Sequence, residues 1–120
     1  MGFFDFFIRD IETSDLHSNP RLRTHYYKCD YRQTKEAVLS FLKINKYKVA
    51  NINDKYGEIF VQADKFHMII SIRKANILNS SVDIKINVYN LLGAYRPHKL
   101  ISKIYEYLDK ELLFVGVGRQ

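Results

Sequence analysis

Between Ser81 and Tyr89 the chain alternates without a break: Val82, Ile84, Ile86 and Val88 are separated by Asp83, Lys85 and Asn87. A period of two is that of an extended strand with one face dry and the other wet. Phe66–Lys74 repeats the pattern, with Phe66, Met68, Ile70 and Ile72 on one face, and so does Glu58–Ala63, with Ile59, Val61 and Ala63. Tyr47–Asn53 is a further strand candidate. The turns between them, Asn53–Gly57, Asp64-Lys65 and Ala75–Ser80, are short. Strands linked this closely predict an antiparallel meander.

Elsewhere the period lengthens. Thr34, Val38, Phe41 and Leu42 fall at helical spacing within Tyr31–Asn45. Asp30 stands where an N-cap belongs, with Gln33 three residues on, as in a capping box. A last helix is expected from near His98 to about Phe114. Ile101, Ile104, Tyr105, Leu108 and Leu112 face inward there, with Leu100 and Tyr107 beside them, and Gly116 and Gly118 end it. Leu22–Cys29 reads as a strand, and the apolar-poor stretch Asp10–Pro20 as a loop closed by an Asn19-Pro20 turn. Ahead of that loop, a short helix over residues 2–9 would set Phe3, Phe4, Phe7 and Ile8 along one side.

The expected organisation is an aromatic segment (1–10), a loop (11–20) and a single α+β domain (21–120). The domain's order is β-α-β-β-β-β-α. Each helix carries one apolar stripe, so both pack on the same face of the antiparallel sheet. From about Leu22 to Leu113 this order resembles one repeat of the TATA-binding-protein-like fold. It resembles more loosely the helix-grip proteins, in which a curved sheet wraps a long C-terminal helix. The likeness is one of topology and transfers no binding residues. The whole chain also resembles small cytosolic proteins common in bacterial genomes, which implies no activity.

Composition narrows the class. A chain of 120 residues, 47% apolar and 27% charged, can bury a core of its own. Its apolar runs are too short to span a bilayer. Asp5 interrupts the aromatic start, as a signal peptide does not allow, and Phe6 replaces the Ser or Thr that myristoylation after Gly2 calls for. The single cysteine, Cys29, suits a reducing cytoplasm.

The net charge of +6 is unevenly spread. Residues 1–20 hold Asp5, Asp10, Glu12 and Asp15 against Arg9, whereas residues 21–48 hold eight cations against Asp30 and Glu36. An acidic leader precedes a basic patch.

Reactive chemistry is sparse. His17, His25, His67 and His98 are scattered, and none has Cys, Asp or Glu at metal-ligand spacing. Cys29 reads as a small buried thiol, and Asp109 and Glu111 as solvent-facing acids of the last helix. Gly116–Gly118 follows a helix instead of opening one, unlike a phosphate-binding loop. No catalytic residue, metal or cofactor is expected, and the chain reads as non-catalytic.

Three binding readings follow. A protein-interaction or self-association module would use Phe3, Phe4 and Phe7. Four phenylalanines beside acids are repelled by anionic lipid and attracted to a basic protein surface, so membrane association is not expected. Nucleic-acid binding would use segment 21–48, where Arg21, Arg23, Tyr26 and Lys28 interleave cations with an aromatic ring. A small apolar ligand could lie between the sheet and the last helix.

Overall fold

The alternating stretch is the spine of the sheet. Val82, Ile84 and Ile86 are fully buried and Val88 nearly so. The computed structural model describes residues 9–89 and 96–118. Of the aromatic helix expected over 2–9, residues 2–8, with Phe3, Phe4 and Phe7, lie outside them. The elements are β1 (Arg9–Glu12), β2 (His25–Tyr27), α1 (Tyr31–Ile44), β3 (Lys48–Asn53), β4 (Glu58–Gln62), β5 (Phe66–Lys74), β6 (Ser80–Val88), α2 (Pro97–Glu111) and β7 (Phe114–Val117). A single 3-10 turn, Pro20–Leu22, precedes β2.

Seven strands among the described residues form one sheet in the order β3-β4-β5-β6-β2-β7, with β1 also on β6. Every pairing is antiparallel. The meander register sets Ile59 opposite Ile70 and Ile70 opposite Ile84, with Val61, Met68 and Ile86 in the next row. These side chains form one apolar face, and Val38, Phe41 and Leu42 of α1 join Ile101, Ile104 and Leu108 of α2 in the same core. The α+β class, the antiparallel sheet and the pair of helices are therefore as the pattern predicts. None of the helices among the described residues is long and apolar enough to cross a membrane.

α1 starts where its cap requires. Asp30 Oδ1 accepts from Gln33 N at 2.8 Å, and Gln33 Oε1 accepts from Asp30 N at 3.2 Å. Its end is tied off by Lys46, in the left-handed region at φ 61°, after which Tyr47 N donates back to Leu42 O at 2.8 Å.

The order departs from expectation at both ends. Arg9–Glu12, read as helix end and loop, is strand β1, paired Arg9–Val88 to Glu12–Lys85. α2 stops at Glu111 and not near Phe114, and the chain turns back as β7 beside β2. Gly116, expected to end the helix, instead sits within β7 opposite Tyr26. The strand expected over Leu22–Cys29 shrinks to His25–Tyr27, because Pro20 opens a 3-10 turn that takes up Leu22.

Candidate functional site

β6 outruns both β1 and β2, and that mismatch creates the polar centre of the molecule. On one long edge it pairs with β5; on the other it is shared, with β2 opposite Ser80–Val82 and β1 opposite Lys85–Val88. Between those two partners the backbone N–H and C=O of Ile84 need other hydrogen bonds. Thr13 supplies them: its N–H donates to Ile84 O at 2.9 Å, and its Oγ1 accepts from Ile84 N at 2.9 Å.

The seam is sealed by side chains. Thr13 and Thr24 each donate a hydroxyl to Asp83 Oδ1 at 2.6 Å. Tyr105, reaching down from α2, donates to Val82 O at 2.7 Å and lies 3.2 Å from Thr13 Oγ1. Both threonines and Tyr105 are buried. Burial raises the Asp83 carboxyl above the ordinary range, only partly opposed by the two threonine bonds, and Asp15 adds like-charge repulsion. Burial likewise raises the Tyr105 phenol.

A second polar group adjoins the seam. His25 lies opposite Val82 in the sheet, which turns its ring to the helix side. There it stacks on Tyr105, and its Nδ1 meets Asp109 Oδ1 at 3.0 Å. Tyr27 donates its hydroxyl to the same oxygen at 2.7 Å. Burial lowers the His25 pKa, against the opposing influence of Asp109. The imidazole is thus neutral at pH 7, with Nδ1 the protonated nitrogen because a carboxylate faces it. Burial, and then Asp109, raise the Tyr27 phenol. Asp109, expected to face solvent, is the shared anchor of β2 and α2.

This dyad lines a groove along α2. Two adjoining hollows, of about 330 and 480 Å³, share Arg21, Ser102 and Glu106. The first takes in Asn19, His98, Lys99 and Lys103; the second takes in His25, Tyr105 and Asp109. Arg21, Lys99 and Lys103 face a single acid, Glu106, in the first hollow. The groove can therefore attract an anion, and its floor offers an imidazole of fixed tautomer. Among the described residues no three His, Cys, Asp or Glu side chains gather as metal ligands.

Of the residues singled out from the sequence, Phe3, Phe4 and Phe7 lie outside the described residues, and Arg21, Arg23, Tyr26 and Lys28 are held in different surroundings. Arg21 enters the groove, on the helix side. Arg23 donates from Nε to His17 O at 2.9 Å, and Tyr26 donates to Asp15 Oδ1 at 2.8 Å, so both fasten the loop that leads from β1 to β2. Lys28 is exposed just past β2, its N–H bonded to Leu113 O. Strand alternation puts Tyr26 on the sheet face opposite His25 and Tyr27. Cys29 is half-buried, 3.0 Å from Thr34 Oγ1. His67 lies on the polar face, as expected, with Nδ1 at 2.6 Å from Tyr89 OH.

Sequence reasoning missed the His25–Asp109 pair because 84 positions separate its members. One local signal existed: His98, Ser102, Glu106 and Asp109 recur at helical spacing away from the apolar stripe. No known protein family matches the chain, and no curated protein does.

Proposed function

We propose that this chain is a non-catalytic binding module that holds a small anionic ligand, carrying a phosphate or carboxylate, in the groove along α2. The observation that carries this reading is the convergence of Arg21, Lys99 and Lys103, with His98, around one hollow that holds the single acid Glu106. Cations grouped at a concave surface attract anions far better than the same charges spread over a convex one. Tyr105 and His25 add a flat, partly apolar wall farther in.

The test is thermal unfolding with glycerol phosphate, inorganic phosphate and uncharged glycerol as probes. Stabilisation by the phosphorylated probes alone supports the reading. It should vanish in the Arg21→Ala, Lys103→Ala double variant. A probe that stabilises wild type and variant equally rules the groove out.

A second reading, self-association or capture of a partner strand, is favoured by β7. Leu113, Phe114 and Val115 are all exposed beside β2, and residues 112–118 carry no charge that would guard a sheet edge. A sedimentation experiment over a range of concentrations tests it, and a strict monomer counts against the self-associating form. Nucleic-acid binding through 21–48 draws less support, since Arg23 and Tyr26 are engaged with the β1–β2 loop. An apolar ligand under α2 draws less as well, since Ile101, Ile104 and Leu108 are packed there without exposure. The likeness to TATA-binding-protein-like or helix-grip folds is supported by the run β2-α1-β3-β4-β5-β6-α2. A cytoplasmic setting is supported by the lone Cys29.

A further inference from the structure

At the end of the sheet remote from β1, the β5–β6 hairpin closes through Ala75–Asn79. Asn76 holds the turn: its Oδ1 accepts from Leu78 N and Asn79 N, each at 3.0 Å, and Ala75 N donates to Asn79 O at 2.9 Å. These bonds fix the loop with two aliphatic side chains outward, Ile77 at 90% exposure and Leu78 at 63%. A polar turn would satisfy the same backbone, so an Ile-Leu pair held in water at a hairpin tip is not required by folding.

Cations surround this tip. Arg73 and Lys74 stand at its base, in register with Ser81 and Ser80. Ser80 also pairs with Tyr27, so Lys28 emerges at the same end. The β3–β4 turn flanks Ile72, whose N–H donates to Gly57 O at 2.7 Å, and it brings Lys55 and the exposed ring of Tyr56 to the same hollow as Arg73 and Lys74. Lys28, Lys55, Arg73 and Lys74 are all exposed. Of the nearby acids, Asp30 caps α1 and Asp54 accepts from Lys35 at 2.8 Å and Tyr31 at 2.6 Å, while Glu58 stands opposite Ser71, two residues before Arg73. The exposed acids Asp10 and Glu12 lie on β1, roughly 20 Å away along β6.

The geometry points to a docking surface for anionic lipid: the β5–β6 hairpin inserts Ile77 and Leu78 into the headgroup region of a membrane while Lys28, Lys55, Arg73 and Lys74 contact its phosphates. The surface is separate from the groove and does not depend on it. A convex tip with two aliphatic side chains is too small for a stable protein interface. It is the right size for shallow lipid insertion, where a few apolar side chains and a basic collar act together. Asp10 and Glu12 do not oppose this contact, because β1 joins the sheet at its other end.

Cosedimentation of the full chain with vesicles of phosphatidylcholine containing about 30% phosphatidylglycerol tests the assignment. Binding is expected to these vesicles and not to pure phosphatidylcholine, and to fade at about 0.5 M salt. The Ile77→Asp, Leu78→Asp double variant and the Arg73→Glu, Lys74→Glu double variant should each weaken it about tenfold or more. Their unfolding midpoints should stay close to wild type, since these side chains are exposed. Soluble glycerol phosphate should not displace the protein; displacement would assign the cations to free phosphate and overturn the proposal. So would absent binding by wild type, or vesicle binding undiminished in the Ile77→Asp, Leu78→Asp variant.

Discussion

His25 lies flat on Tyr105, the ring planes 5° apart and the centroids 3.7 Å apart. One imidazole thereby joins β2 to α2 twice, through this stack and through its bond to Asp109. Protonation would strengthen the bond to Asp109, but the burial of the ring outweighs that attraction and disfavours the charged form.

That balance sets a pH dependence. The folded-state pKa lies below the ordinary 6.5. As pH falls, the unfolded chain therefore takes up the proton first, and stability is lost from about pH 6.5 downward until the folded pKa is passed. His25→Phe keeps an aromatic ring and removes the titration. Urea denaturation at about pH 7.5 and about pH 5.5 should show a larger loss for wild type than for the variant. Equal losses would mean that His25 does not carry this dependence.

Asp83 should behave as an acceptor more than as a charge. Two threonine hydroxyls converge on its Oδ1, and its carboxyl is raised above the ordinary 3.8 mainly by burial. Between 3.8 and the folded value its ionisation works against folding, so its charge is not what stabilises the seam. Asp83→Ala leaves both hydroxyls without that acceptor and should lower stability by about 1–3 kcal/mol. Asp83→Asn keeps an oxygen there and should lose clearly less. Denaturant midpoints decide between them, and an alanine variant no weaker than the asparagine one refutes this account of the seam.

The seam also explains which parts of the molecule the sequence makes readable. β4, β5 and β6 declare themselves because one face of each is dry, so burial writes a period of two into the chain. α1 is equally plain, since Asp30 and Gln33 mark its start and Val38, Phe41 and Leu42 its buried side. β1 leaves almost no trace: in Arg9–Glu12 only Ile11 is apolar, and the strand is defined by backbone pairing. β7 is hidden for the opposite reason. Leu112 continues the spacing set by Ile101, Ile104 and Leu108, so the helical stripe runs unbroken up to the strand. The site is least readable, because His25 with Asp109, and Thr13 with Asp83, meet only once the sheet has formed.

Lys46 offers a gain in stability. It is the one non-glycine among the described residues with positive φ, at 61°, just past the α1 C-cap. A side chain there strains the backbone, and glycine removes that strain while adding freedom to the unfolded chain. Lys46→Gly should raise stability by about 0.5–1 kcal/mol. Thermal unfolding should show a higher midpoint; a lower one would mean that Lys46 makes a contact worth more than the strain.

Gly57 is the stricter case. It has φ 69°, and a Cβ built there would sit 2.1 Å from the carbonyl oxygen of Ile72. The same two residues are joined by Ile72 N–H to Gly57 O at 2.7 Å, so the backbones cannot part without breaking that bond. Gly57→Ala must therefore strain φ and force β5 away from the turn, at a cost of about 3 kcal/mol or more. Gly116 is the natural control, since a Cβ there meets nothing within 4 Å and its φ is not in the left-handed region. Gly116→Ala should melt close to wild type while Gly57→Ala melts well below it. If the two variants melt together, the close approach of the β3–β4 turn to β5 is wrong, and Lys55 and Tyr56 lose their place beside Arg73 and Lys74.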